Sequence, residues 1–281
     1  KQAIIPLAGL GTRLLPLTSV FAKELLPING KPGLEYIIEE CIDAGIEEII
    51  FIISKKKQMI KKYFYNDKFY KDIIKKKKNL KINKKYKKIL KYRKKIKFVY
   101  QNKPKGTGDA VLKTKKFIKN KYFLMLLPDD LIVKKNCSIS MIKSHKIHKA
   151  SIMASMSVNK KTVSRWGIFD IEKRLNKIDH LIKGVVEKPS YKKAPSNKAV
   201  IGRYILPKSI FLKLSKMKSG KGGEIHITDA IQLLINENEK FIAHNFLGKY
   251  LDCGTMKGYI NSSKEISKLW NYAWSEQDML V

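Results

Sequence analysis

Gly9, Gly11 and Arg13 belong to an Ala8-Gly9-Leu10-Gly11-Thr12-Arg13 run that directly follows an apolar stretch, Ala3-Ile4-Ile5-Pro6-Leu7. A glycine-rich turn at the end of a buried strand brings backbone N–H groups against an anion. Arg13 and, further on, Lys23 in Lys23-Glu24-Leu25-Leu26-Pro27 can add charge where phosphate oxygens would sit. Taken alone, the run reads equally as a tight turn after an edge strand with two surface cations, because short glycine motifs recur by chance. Leu127-Pro128-Asp129-Asp130 closes another apolar run with paired carboxylates. A carboxylate at a strand tip beside substrate phosphates suits Mg²⁺, which keeps waters and needs few protein ligands; by itself the pair is also a turn cap. Tyr250-Leu251-Asp252-Cys253-Gly254 offers a second carboxylate beside a glycine turn. Val185-Val186-Glu187-Lys188-Pro189 sets an acid that could accept from sugar hydroxyls beside a lysine that could pair with a phosphate. Standing alone, that last pair is a surface ion pair.

Positioning these groups requires strand ends. Apolar runs recur at 2–7, 48–53, 96–100, 122–127, 151–158 and 200–206, with helical patterns between several of them. The spacing predicts helices over 34–44, stopped by Gly45, over 109–119, opened by Thr107-Gly108, and over 138–149. Strands alternating with helices predict an α/β chain: a doubly wound, mainly parallel, Rossmann-like mixed sheet flanked by helices. Ligands of such sheets bind beyond the carboxyl ends of the strands, where the Gly9–Arg13 loop falls. The 55–97 segment is dense in lysine, with Tyr63, Phe64, Tyr86 and Ile89 among apolar residues at helical intervals. It reads as amphipathic helices inserted between strands, packing on the domain or on another subunit. The C-terminal stretch 256–274 also reads as helical, with Trp270, Tyr272 and Trp274 as a docked end or an interface.

The composition bounds the function classes. The 281 residues are 44% hydrophobic, enough for one large domain with a sizeable core. No apolar stretch approaches the roughly 18 residues of a membrane span. Lys1-Gln2-Ala3 leads straight into a strand pattern, so no signal peptide is expected. Cys41, Cys137 and Cys253 are widely spaced, which points to a reducing cytoplasm and away from a disulfide framework or zinc site. The net charge of +35 suggests nucleic acid or an anionic surface. Yet only five of the 59 basic residues are arginine, the side chain whose fork suits base and phosphate recognition. The excess is therefore read as a lysine-rich solvated surface, with non-specific polyanion binding at low salt.

In this order the clusters resemble the bacterial UTP–glucose-1-phosphate uridylyltransferases, from residue 1 to about residue 265. To those above the resemblance adds Gln101-Asn102-Lys103-Pro104-Lys105-Gly106-Thr107-Gly108, Ile201-Gly202-Arg203-Tyr204 and Gly223-Glu224-Ile225-His226-Ile227-Thr228-Asp229-Ala230. It implies a single nucleotidyltransferase domain over 1–281: a nucleotide-binding half, 1–125, with the helical insert 55–97; a sugar-binding half, 126–256; and a C-terminal helix, 257–281. It implies the reaction UTP + glucose 1-phosphate → UDP-glucose + pyrophosphate. Ala8, Gly9, Gly11 and Thr12 would hold the nucleotide with Arg13, and Lys23 would neutralise the transferring and leaving phosphates. Gln101 and Gly106 would read the uracil edge. Asp129 and Asp252 would bind Mg²⁺. Gly167, Glu187 and Gly202 would line the glucose site, with Lys188 on its phosphate and Glu224 ordering the sugar loop. No histidine is needed for acid–base work. The resemblance further implies a cytoplasmic homodimer or homotetramer with no specific nucleic acid and no membrane partner.

Three positions depart from the family pattern. Asp109 stands where His is usual near the base, Glu35 where Gln is common, and Trp166 where Tyr is common before Gly167. Asp109 bears on nucleotide strictness, and Trp166 on the rim of the sugar pocket. Two rival readings are thymidylyl transfer to glucose 1-phosphate on the same fold and, from another class, a basic nucleic-acid-binding protein using 55–97.

Overall fold

A computed structural model of the chain describes residues 1–77, 80–218 and 223–270. The strands are β1 (Gln2–Pro6), β2 (Pro27–Ile28), β3 (Lys31–Pro32), β4 (Glu48–Ile53), β5 (Ile96–Tyr100), β6 (Tyr122–Leu126), β7 (Asp130–Val133), β8 (Ser151–Ser157), β9 (Gly167–Arg174), β10 (Asp179–Glu187), β11 (Lys198–Pro207), β12 (Phe241–Asn245) and β13 (Lys249–Asp252). The helices are α1 (Gly33–Asp43), α2 (Gln58–Tyr65), α3 (Asp67–Lys77), α4 (Leu80–Arg93), α5 (Gly106–Leu112), α6 (Cys137–His148), α7 (Ile210–Lys216), α8 (Ile227–Asn236) and α9 (Met256–Trp270).

Among the described residues the main sheet has nine strands in the order β5-β4-β1-β6-β11-β8-β12-β10-β9. Its first four strands are parallel. β1 and β4 alternate isoleucines between two cores: Ile5, Phe51 and Ile53 face one, Ile4, Ile50 and Ile52 the other. Strands buried on both faces read as unbroken apolar runs, which is why this half is visible in the sequence. Helices α1, α2, α4, α6 and α9 cover the first face, and α5, α7 and α8 the second. From β6 onward the pairing turns largely antiparallel, with β8–β12 the one parallel pair there. The parallel character is thus concentrated in the N-terminal half of a mixed sheet.

The predicted helix over 109–119 is shorter and earlier, Gly106–Leu112. Its start is set from outside: Gly108 N donates to Ile225 O (2.7 Å) and Ile225 N to Lys105 O (2.8 Å). Past Leu112 the chain runs into tight turns, and Thr114 Oγ1 donates to Val111 O at 2.6 Å. A hydroxyl that bonds its own backbone competes with helix continuation.

The 55–97 insert folds as α2–α4, with Phe64, Tyr86, Ile89 and Tyr92 buried. Its tyrosines reach across to acids: Tyr92 Oη donates to Glu39 at 2.8 Å, and Tyr63 Oη donates to Glu35. Glu35, one of the three departures, therefore ties the insert to α1. Tyr272 and Trp274 lie outside the described residues, as does the chain beyond α9. No helix among the described residues is long and apolar enough to cross a membrane.

Candidate active site

The loops at the carboxyl ends of β1, β5 and β6 meet around a cavity of about 430 Å³. Ala8, Gly9, Gly11 and Thr12 line it from the first loop, Lys23 from the next turn, Gln101 and Gly106 from the loop after β5, and Asp129 from the loop after β6. The sequence spreads these residues over more than a hundred positions, and the parallel half of the sheet collects them. Gly11 takes φ +71, a left-handed conformation open to glycine, and Thr18 Oγ1 donates to its carbonyl at 2.9 Å. That turn points Arg13 toward Asp129.

The charged centre is compact. Lys23 Nζ lies 2.8 Å and Arg13 Nη2 3.4 Å from Asp129 Oδ2. Burial works against the charge on Lys23, but Asp129 and Glu24 outweigh it and raise its pKa. Burial likewise opposes the charge on Asp129, and Lys23 overrides it to hold the carboxyl below its usual range. Beside Lys23, Glu24 accepts two hydrogen bonds from buried Lys57 Nζ, at 2.8 and 2.9 Å.

Asp252 faces Asp129 across Gly254. A Cβ built on Gly254 would lie 2.8 Å from Asp129 Oδ2, 3.0 Å from Arg13 Nη2 and 3.2 Å from Asp252 Oδ1. The missing side chain keeps open a cradle between two carboxylates, whose hard oxygens are the donors Mg²⁺ takes. The turn is pinned by Cys253 N donating to Asp129 O (2.7 Å) and Gly254 N to Asp252 Oδ1 (2.8 Å). Among the described residues no cluster of three or more His, Cys, Asp or Glu side chains could hold a metal unaided. A metal in the cradle would therefore complete its shell with substrate and water oxygens.

Gly202 lies behind this centre, at an irregularity in β11 between Ile201 and Tyr204. Its N–H donates to Asp130 Oδ2 at 2.8 Å, and a Cβ there would stand 2.5 Å from that oxygen. Tyr250 Oη donates to Asp130 Oδ1 at 2.8 Å. Burial and the neighbouring Asp129 charge push the Asp130 carboxyl up to about 6. Fully buried Arg203 donates to Leu127 O, Gly202 O and Asp130 O, and forks onto Glu40 of α1 at 2.9–3.1 Å. Arg203, Glu40, Asp130 and Tyr250 thus brace the aspartate loop. In the sequence Asp130 stands out only as one of the paired carboxylates, and Arg203 and Tyr250 only as members of longer motifs. The long-range pairing among them leaves no local signal.

The sugar-side residues gather separately. Gly167 pairs with Glu187 across β9 and β10, and a Cβ on Gly167 would lie 3.1 Å from Glu187 Oε2. Lys188 takes φ +46 at the strand end, its N–H donates to Trp166 O at 2.9 Å, and its exposed Nζ lies 3.5 Å from Glu187 Oε1. The Trp166 ring packs edge-on against Tyr250, 5.7 Å between centroids. Gly167, Glu187 and Lys188 do not line the cavity that holds Gln101 and Lys23. Glu224 does, and thus stands on this cavity beside Gly106, apart from Gly167, Glu187 and Lys188.

The nucleotidyl transferase family profile matches residues 2–268. UTP–glucose-1-phosphate uridylyltransferase 1 of Staphylococcus saprophyticus is 38% identical over 277 residues, 98% of this chain and 96% of that protein. A crystal structure of UDP-glucose pyrophosphorylase complexed with UDP-glucose matches with TM-score 0.83 at 36% identity, covering 95% of this chain and 98% of that one. The UTP-bound enzyme of Acinetobacter baumannii matches with TM-score 0.87 at 31% identity, covering 95% and 93%.

Proposed function

The chain belongs to the nucleotidyl transferase family, alongside the UTP–glucose-1-phosphate uridylyltransferases, and from that premise we propose that it transfers the uridylyl group of UTP to glucose 1-phosphate, releasing pyrophosphate. The observation that carries the reading is the convergence of Arg13, Lys23 and Asp129 beside Gly254, at one end of a cavity whose lining also includes Gln101 and Gly106. A triphosphate at the charged end and a base at the amide end would fill such a cavity.

The chemistry asks little covalent work of the protein. An oxygen of the sugar phosphate attacks the α-phosphorus in line, and the bond to the β-phosphate oxygen breaks with its electron pair leaving on pyrophosphate. The nucleophile is already ionised, so no side chain need take a proton. Alignment and charge neutralisation supply the catalysis. In this reading Ala8, Gly9, Gly11 and Thr12 hold the triphosphate, while Arg13 and Lys23 neutralise its charge. Gln101 and Gly106 face the uracil. Gly167, Glu187 and Gly202 hold the glucose and Lys188 its phosphate, while Glu224 orders the loop at Gly106. Asp129 and Asp252 would hold Mg²⁺, which when bound neutralises phosphate charge. The same reading carries a cytoplasmic location, where both substrates are made, and assembly as a homodimer or homotetramer.

The competing reading is thymidylyl transfer, since one methyl group is worth only about 1–3 kcal/mol of discrimination. Pyrophosphate release measured with UTP and with dTTP, glucose 1-phosphate held constant, separates the two. UTP gives the higher kcat/KM; an equal or higher value with dTTP overturns the uridylyl assignment.

A further inference from the structure

Gln101 is held by one end. Its Nε2 donates to Gly106 O at 3.1 Å and to Asp109 Oδ2 at 2.8 Å. Both partners are acceptors, so the amide must turn its NH₂ toward them. That leaves Oε1 as the end offered to the cavity that Gln101 lines, and Oε1 accepts from none of the described residues. Asp109 is itself fixed. It is buried with Gln101, and its other oxygen, Oδ1, pairs with Lys113 Nζ at 3.2 Å one helical turn on. The helix that carries it is anchored through Gly108 and Ile225, so Asp109 cannot drift from the amide without moving that contact.

We propose that Asp109 is a positioning residue that locks Gln101 with its carbonyl toward the base, and so selects nucleotides whose pyrimidine N3 carries a proton. The inference rests on the reading that Gln101 faces N3 of the base. Uracil presents N3–H, a donor that Oε1 accepts. Cytosine presents a bare N3, an acceptor, and is matched only if the amide rotates by half a turn. Rotation would set Oε1 against the Asp109 carboxylate and the Gly106 carbonyl, two acceptors at hydrogen-bond distance. A buried polar group deprived of its partner carries the full cost of desolvation, and a facing charge adds to it. Gly106 alone would oppose rotation weakly; the charge on Asp109 makes the opposition strong. The selection is made at one remove, by a residue that need not touch the nucleotide.

The test is the ratio of kcat/KM for UTP to that for CTP, with glucose 1-phosphate as acceptor, in the full chain and three variants. Asp109→Ala lowers the ratio about tenfold or more, mainly through better use of CTP. Asp109→Asn, which keeps the shape but removes the charge and can turn its NH₂ toward a rotated Gln101, lowers the ratio as well. Gln101→Ala lowers the ratio whatever stands at 109. A variant that is merely damaged loses activity with both nucleotides in proportion, so an Asp109→Ala ratio equal to wild type overturns the proposal even if activity falls. If Gln101→Ala lowers the ratio and Asp109→Ala does not, the base contact stands and only the positioning role fails. If neither changes it, Gln101 does not read N3 and both fall.

Discussion

Burial works against the charge on Lys23; Asp129 at 2.8 Å, helped by Glu24, outweighs it and raises the pKa of the ammonium. A cation held this way is ready to trade a carboxylate for phosphate oxygens. Lys23→Ala should lower kcat by about two to three orders of magnitude with little change in melting temperature, the scale set by removing one preorganised charge donor. Near-normal turnover would take Lys23 out of the site. Asp129→Asn should shift the Mg²⁺ titration of activity to higher concentration and lower its plateau, whereas a wild-type titration would remove Asp129 from the metal site. Asp129 stood out because it closes an apolar run, where local pattern and chemistry coincide, whereas Lys23 was singled out as a cation downstream of the glycine turn and took its role from the resemblance. The roles of Asp130, Arg203 and Glu40 were not legible, because they arise from contacts between distant strands and α1 that no local pattern carries.

β11 and α1 are joined beneath the aspartate loop by the Arg203–Glu40 fork, with Ser138 Oγ adding a 2.6 Å donor to Glu40. Glu40→Ala would leave a buried guanidinium uncompensated, a loss of about 3–5 kcal/mol. Chemical denaturation would show it as a lower midpoint at an unchanged slope; a wild-type midpoint would show that the brace contributes nothing. On the same face but toward the other edge of the sheet, Asp179 of β10 meets His244 of β12 at 2.6 Å, and His148 and Ser144 of α6 at 3.0 Å. Burial opposes the Asp179 charge, but hydrogen bonds with His244, Asn176 and His148, chiefly that of His244, pull its carboxyl well below the usual range. The unfolded chain therefore takes up this proton more readily than the folded one. The stability from Asp179 is complete above about pH 4 and fades as pH falls below it. Asp179→Asn should flatten that acid limb in denaturation midpoints measured against pH; parallel curves would contradict it. Element boundaries were read well where an apolar face continues and poorly at α5, where hydrogen bonds from Ile225 set the start of the helix.

The charge of the whole molecule separates into two populations. Arg203, Lys57 and Lys23 are withdrawn from solvent and paired, whereas most of the lysines that make up the +35 stand on the surface. Binding to heparin or DNA measurable near 50 mM salt should be lost by about 200 mM, as counterion release requires. Sequence-selective binding that survives would revive the nucleic-acid reading. At this scale the parallel half of the sheet was legible because its strands are buried on both faces. The largely antiparallel half and the small β7–β13 pairing were not, since strand order there depends on long-range partners. That pairing sets Asp252 opposite Asp130 and so assembles the carboxylate cradle from residues more than a hundred positions apart. Transfer of the uridylyl group of UTP to a sugar phosphate at the cradle and the glycine loop is tested most directly by incubating the protein with α-phosphorus-labelled UTP, glucose 1-phosphate and Mg²⁺. The label should move into UDP-glucose in step with pyrophosphate release; label that stays in UTP, or appears as UMP without sugar attached, would contradict the account.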